Sequence, residues 1–305
     1  MYELKRIVVF VSLTDLDEEV VRYASIVSRI MSADSVYFVH VAGSLDLPDD
    51  LKEEYRSVLA PVDETIKHEI QHLIDQYFPH PESTQVAIDV LQGKPTDELI
   101  RYGKRKDADL IILGKPEVPP KKPKPSKVAE ISACSVLFVP ENAHIKIDKI
   151  AVAIDFSDHA EMALSQAIKF SEKDENVTIY GHHIYKIPLG YSKTGKSYEE
   201  FRQIMEKNAK KEAKKFFSDR DLDEDICEMR YQLSEDSKID DELFGFARQK
   251  DIDLLIIGSR GRTAAASILL GSVAERLLQY QTNIPLFIAK EKNSNMSFFE
   301  ALFNI

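Results

Sequence analysis

The residues best suited to chemistry stand in one stretch of the second half of the chain, Gly258-Ser-Arg260-Gly261-Arg262-Thr-Ala-Ala-Ala-Ser-Ile-Leu-Leu-Gly271-Ser272-Val273-Ala274-Glu275, which reads G-x2-G-x9-G-S. This composition suits an anion site. Gly258 and Gly261 are expected to take tight turns with φ > 0 and to bring bare backbone up to a ligand. Gly271-Ser272 opens a helix whose unpaired N–H groups, through Val273, point outward, and the helix dipole favours negative charge there. The Ser272 hydroxyl can donate to a phosphate oxygen. Arg260 and Arg262 add charge-assisted contacts whose direction the sequence leaves open. An ordinary turn and helix start is the plainer reading of the same residues, and context must decide.

The context is a series of short apolar runs alternating with amphipathic stretches. Ile150–Ile154 is a continuous β-branched run, the mark of a strand buried on both faces. Ser157 is a plausible N-cap for a helix through Met162, Ala163, Ala167, Ile168 and Phe170. Further strands are expected at 177–184, 228–233, 254–257 and 286–289, with helices over 197–218, 240–248 and 272–280. Such alternation predicts parallel βαβ units in a doubly wound sheet, which binds ligands beyond the carboxyl ends of its strands where the strand order switches.

The same pattern occurs twice. Arg6-Ile-Val-Val-Phe-Val-Ser12 aligns with Lys149-Ile-Ala-Val-Ala-Ile-Asp155, and Val36-Tyr-Phe-Val-His-Val41 with Ile179-Tyr-Gly-His-His-Ile184, both at an offset of 143. Asp109-Leu-Ile-Ile-Leu-Gly114 matches Asp253-Leu-Leu-Ile-Ile-Gly258 at 144, and Val136-Leu-Phe-Val139 matches Pro285-Leu-Phe-Ile288 at 149. Four ordered matches at a nearly constant offset indicate duplication. The expected domains are residues 1–142 and 147–292, followed by a tail, 293–305.

On these residues, the G-x2-G-x9-G-S element, the Ala151-Val-Ala-Ile-Asp155-Phe-Ser157 opening and Ser267-Ile-Leu-Leu-Gly-Ser-Val-Ala-Glu-Arg276, the chain resembles the universal stress protein family in tandem form. The resemblance implies an α/β fold with two tandem, doubly wound (Rossmann-like) five-stranded parallel sheets. It implies ATP (or ADP or AMP) held by the glycine loop in the binding subgroup, with Mg2+ or Mn2+ on the phosphates and no side-chain metal ligand. Carried over, Asp155 contacts the adenine end and Ile184 lines the base pocket, while Gly258, Gly261, Gly271 and Ser272 supply the loop. Fifth strands pair across a two-fold interface in the family, which implies an intrachain pseudo-dimer here. Further homodimerisation and the protein partner stay open.

The first half departs from that pattern. Ser12 replaces Asp155, Ser126-Lys127 stands where Gly271-Ser272 stands, and five prolines lie between 116 and 125. Proline removes N–H donors and fixes φ, opposing an amide cradle. Only the second half is expected to bind nucleotide.

Blander readings stand beside the sharper ones. Asp155 could simply cap the following helix. His182-His183 are adjacent on a strand, point to opposite faces, and are read as structural histidines rather than a metal site. Cys134 and Cys227 are read as inert small hydrophobes. Residues 115–127 are read as a solvated loop, 197–220 as a solvated helix face, and 296–305 as a docked or frayed end or a contact for a neighbouring chain. The net charge of −11, from 40 Lys+Arg against 51 Asp+Glu, argues against a broad nucleic-acid coat. Two cysteines build no disulfide scaffold or zinc site, no secretory core and no membrane span are visible, and a cytoplasmic setting is expected. The expectation is a nucleotide-binding stress or signalling protein. A slow Mg-dependent ATPase and a nucleotide-free interaction scaffold are the alternatives.

Overall fold

A computed structural model describes residues 3–43, 56–117, 123–234, 238–262 and 270–292. The Pro/Lys stretch at 118–122, the loop residues 263–269 and the tail 293–305, on which some of the expectations above fall, lie outside the described residues. The chain divides into two compact units, one running from the N-terminus to Lys146 and taking in Gln281–Pro285 and the stretch from Lys290, the other comprising Ile147–Tyr280 and Leu286–Ala289.

In the first unit β1 (Arg6–Phe10), β2 (Ser35–Ala42), β3 (Gln85–Gln92), β4 (Leu110–Lys115) and β5 (Ser135–Pro140) form a parallel sheet in the order β3-β2-β1-β4-β5. Helices α1 (Asp17–Met31), α2 (Arg56–Tyr77), α3 (Pro95–Arg105) and α4 (Pro125–Ile131) alternate with them. The second unit repeats the plan with β6 (Lys149–Ala153), β7 (Thr178–Tyr185), β8 (Glu228–Leu233), β9 (Leu254–Gly258) and β10 (Leu286–Ala289), in the order β8-β7-β6-β9-β10. Its helices are α5 (Asp158–Lys173), α6 (Tyr198–Ser218), α7 (Ile239–Gln249) and α8 (Ser272–Leu277).

The sequence dictates this layout locally. Central strands are apolar throughout because both faces are covered: Val8, Ile112, Ile150, Val152 and Ile256 are fully buried. The outer strand β8 alternates with charged residues, as an edge facing water requires. Ser157 caps α5 by accepting the Ala160 N–H at 3.2 Å, and Ala163, Ala167 and Phe170 place its inner face in the core. Ser197 and Glu200 form a capping box at the start of α6. The helix expected over 272–280 ends at Leu277, because the Gln279 and Tyr280 N–H groups bond three residues back rather than four and tighten the last turn.

The duplication extends to individual hydrogen bonds. Asp109 Oδ2 accepts the N–H groups of Lys5 and Arg6, and Asp253 Oδ2 accepts those of Asp148 and Lys149. His40 Nδ1 lies 2.8 Å from the Val11 carbonyl oxygen, and His183 Nδ1 lies 2.7 Å from that of Ile154. The third residue beyond the first strand takes a left-handed backbone in both units, Leu13 at φ 60° and Phe156 at φ 65°. A non-glycine residue there stores about 1–3 kcal/mol of strain, retained at the turn that carries the chain across the switch point. Both cysteines are buried, and burial pushes each thiol up to about 12.

Candidate functional site

The order β8-β7-β6-β9-β10 reverses between β6 and β9, and the turns leaving the carboxyl ends of these two strands diverge to leave a crevice. Asp155 stands just beyond β6. Its Oδ1 accepts the Ser157 N–H at 3.1 Å and the Ser157 hydroxyl at 2.6 Å, while Oδ2 accepts the Arg262 backbone N–H at 2.6 Å. Asp155 therefore does not cap α5, a task left to Ser157. It clasps the end of one central strand to the glycine loop that follows the other.

The glycines serve packing rather than unusual dihedrals. Neither Gly258 nor Gly261 takes a positive φ, which corrects the sequence expectation. A Cβ at Gly258 would lie 2.7 Å from both Cβ and the carbonyl oxygen of His159, so this glycine lets α5 sit against the end of β9. A Cβ at Gly261 would lie 3.1 Å from Asp155 Oδ2, so its absence admits the clasping carboxylate. Gly271, the N-cap of α8, has φ −74° and ψ 151°, and its N–H donates to the Ser259 carbonyl at 2.8 Å.

Together these elements line a cavity of about 470 Å3, within the range of small-molecule sites. All nine sequence-nominated residues border it: Asp155 and Ile184 on one side, then Gly258, Arg260, Gly261 and Arg262, then Gly271, Ser272 and Val273. Ile239 and Leu243 of α7 and Ile257 of β9 add an apolar wall, and Arg276 a third cationic side chain. The Arg262 guanidinium turns away to Glu212 of α6, with Nη1 2.7 Å from Oε2. Arg276 is held by Asp240 of α7, Nε 2.5 Å from Oδ1, and Tyr280 donates to the other carboxylate oxygen at 2.9 Å. Burial alone would raise the Asp240 carboxyl, but the hydrogen bonds from Arg276 and Tyr280 outweigh it and hold the group ionised. Sequence reading passed over Arg276 as a site residue. The available signal was its spacing, one helical turn after Ser272 and so on the same face.

The two histidines do point to opposite faces. His183 stacks on Phe156 at 4.3 Å between ring centroids, and burial lowers its pKa. His182 faces α7 and lines the cavity, where burial depresses its pKa to about 4. Among the described residues, no group of three or more His, Cys, Asp or Glu side chains is arranged to hold a metal.

The corresponding cavity of the first unit persists at about 460 Å3, but its chemistry differs. Its described lining includes Ser12, Gly114, Pro116 and Pro123 with the carboxylates of Asp15, Glu19 and Glu141, and no arginine or lysine. Ser12 turns its N–H and hydroxyl onto Asp17 instead of offering a carboxylate. Pro125 occupies the first position of α4, removing one amide of the kind α8 presents. Lys127 pairs with Asp97 at 2.7 Å.

Comparison with known proteins agrees with this architecture. The universal stress protein family model matches residues 3–140 and 146–290. Universal stress protein MJ0577 of Methanocaldococcus jannaschii is 28% identical over 159 residues, 48% of this chain and 96% of that protein. Universal stress protein MJ0531 of the same organism is 26% identical over 145 residues, 47% of this chain and 82% of the relative. A solved universal stress protein from Archaeoglobus fulgidus covers 96% of this chain and 98% of its own, with TM-score 0.63 at 15% identity, a likeness of fold.

Proposed function

The chain belongs to the universal stress protein family, and from that premise we propose that its second unit binds an adenine nucleotide, ATP or its ADP and AMP relatives. The observation that carries this reading is the polarity of one cavity. Ile184, Ile239 and Leu243 give its lining apolar surface suited to a base, while Ser272, Arg260, Arg276 and the amides that open α8 at Ser272 and Val273 give it donors suited to phosphates; the Gly271 and Arg262 amides are engaged by Ser259 and Asp155. Mg2+ or Mn2+ would be carried by the phosphates; no side-chain ligand is assigned to it. The first unit, whose matching cavity is acidic and proline-bordered, is the non-binding partner.

Binding rather than turnover is the proposed role. Asp155, the carboxylate in the cavity wall, has both oxygens engaged by hydrogen bonds from its own chain, which does not suit it to activate water. Occupancy acts by favouring one arrangement of the surrounding turns over another and so altering contacts with a protein partner. The setting is a cytoplasmic stress or signalling response.

Calorimetric titration is expected to give one ATP per chain, and saturating ATP at 100 times Kd should stabilise the protein by about 2.7 kcal/mol. The double substitution Gly261→Pro with Gly271→Val should abolish both effects while the first unit stays folded. Two equal sites per chain would refute the assignment to one unit, and an unchanged melting midpoint with ATP would refute nucleotide binding altogether.

A further inference from the structure

Between β7 and α6 the chain reads Lys186-Ile-Pro-Leu189-Gly190-Tyr191-Ser-Lys193-Thr-Gly195-Lys196-Ser-Tyr198, three lysines and no acidic residue in a chain of net charge −11. At the repeat offset of 143 the first copy has residues 43–55, where Asp46, Asp49, Asp50, Glu53 and Glu54 stand against one lysine, Lys52. The basic turn is therefore a property of the second copy alone.

The turn has a shape of its own, and that shape displays an apolar tip. The Tyr191 N–H donates to the Pro188 carbonyl at 3.3 Å, the Lys193 N–H to that of Gly190 at 3.0 Å and the Gly195 N–H to that of Ser192 at 3.2 Å. The Thr194 hydroxyl donates to the Tyr191 carbonyl at 2.6 Å. Gly190 at φ 86° and Gly195 at φ 73° flank a short 3-10 turn, Tyr191–Thr194. A Cβ on either glycine would meet nothing within 4 Å, so both serve the left-handed backbone rather than close packing. Leu189, at the tip, is fully exposed, and Tyr198 is exposed beside it. Lys186, Lys193 and Lys196 are exposed as well, and none forms an ion pair among the described residues. The acidic groups that follow are engaged locally. Glu199 accepts from Arg202 and Gln203, and Glu200, the acid that acts on Lys196, accepts the Ser197 N–H and hydroxyl on Oε2.

We propose that the 186–198 turn docks the second unit on an anionic lipid surface. Charge complementarity selects the partner: three ammonium groups meet acidic headgroups while Leu189 enters the acyl boundary and the lysine stems lie along it. Tyr198 suits the headgroup level, where one end of the ring is apolar and the other wet. A nucleic-acid strand would need open ring faces on which to stack its bases. Tyr191 instead packs edge-to-face on Tyr198 at 5.7 Å between centroids and lies 5.9 Å from Phe201. No described helix is long and apolar enough to cross a membrane, so the contact is peripheral. None of these side chains lines the nucleotide cavity, and the inference stands apart from the nucleotide reading.

Sedimentation of the full chain with vesicles tests it, using phosphatidylcholine alone or mixed with phosphatidylserine. Mixed vesicles should retain the protein and phosphatidylcholine vesicles should not. Retention should be lost in about 1 M salt, where the screening length falls to about 3 Å. Each lysine near such a surface is worth about fivefold, so Lys186→Gln, Lys193→Gln and Lys196→Gln together should weaken binding about a hundredfold. Leu189→Ala should weaken it about tenfold. The chain has no tryptophan, so Leu189→Trp places a single reporter at the tip, and its emission should shift to the blue with mixed vesicles only. Failure of mixed vesicles to retain the wild type, equal retention by both kinds, retention unchanged in the triple variant, or an unmoved tryptophan emission would overturn the proposal. So would retention of single-stranded DNA in place of vesicles. ATP titration of the same variants should match the wild type, so a failure of nucleotide binding is told apart from a failure of docking.

Discussion

Alanine at Gly258 should destabilise the second unit by about 1–3 kcal/mol, the usual range for overpacking a close contact. The new Cβ would lie 2.7 Å from His159 Cβ, 2.7 Å from its carbonyl oxygen and 2.8 Å from its carbonyl carbon. Two of those atoms are backbone of the first turn of α5, so no rotamer change relieves the clash. The helix must move off β9, and its inner residues Ala163, Ala167 and Phe170 are fully buried and resist that movement. At Gly261 the nearest atom is a side-chain oxygen, Asp155 Oδ2 at 3.1 Å, which can rotate aside. Alanine there weakens the clasp to Arg262, a loss of about 0.5–1.5 kcal/mol for one hydrogen bond. At Gly271 the nearest atoms lie at 3.4 Å, an ordinary contact, and the backbone is extended. Alanine should cost about 0.5 kcal/mol there, the deficit of alanine relative to glycine as an N-cap. Thermal denaturation of the full chain with and without ATP reports the order, at about 2–8 °C per kcal/mol for a unit of this size. The expected ranking of lost stability is Gly258, then Gly261, then Gly271. A Gly271→Ala variant as unstable as Gly258→Ala would refute the packing argument for the loop.

Two further outcomes follow from the electrostatics. His182 ordinarily titrates at 6.5 but is depressed to about 4 in the fold, so between those values the unfolded chain binds more protons and stability rises with pH, by at most about 1.4 kcal/mol per unit. This contribution is complete above pH 6.5 and is lost as pH falls toward 4; His182→Phe should flatten the urea midpoint plotted against pH over that window, and an unaltered slope would contradict the assignment. Arg276→Met leaves the buried Asp240 carboxylate to Tyr280 and its own backbone N–H, and should lower stability by about 1–3 kcal/mol together with ATP affinity, whereas Arg276→Lys should recover part of both; titration and denaturation of the pair check this, and a loss of stability with ATP affinity intact would remove Arg276 from the phosphate end.

Much of the fold was legible in the chain because strand and helix signals are local. Continuous apolar runs marked β6 and β9, Ser157 marked the start of α5, and the recurrence of apolar runs near an offset of 143 exposed the duplication before any contact was known. The glycine loop was equally visible, since Gly and Ser at fixed spacing act through nearby backbone. What those glycines do was not visible. Gly258 answers to His159, about a hundred residues earlier, and Gly261 to Asp155, and only the juxtaposition of β6 with β9 brings these pairs together.

The same distinction separates the site residues that were nominated from those that were not. Alternation along β7 required His182 and His183 to face opposite ways, but not which face holds the cavity; that depends on where α7 packs and on Gln232 of β8 meeting the ring. The sequence left the direction of Arg262 open, and Glu212 of α6 turns it away; Arg276, not nominated from the sequence, is held in the lining by Asp240. By itself the sequence determined the elements, their repetition and the place of the loop, because backbone propensity and periodicity act over a few residues. Tertiary structure alone decided which charges are already paired, which histidine reaches the crevice, and that the first cavity keeps its volume while changing its chemistry, because hydrogen bonds and ion pairs depend on distances in space that the sheet order sets.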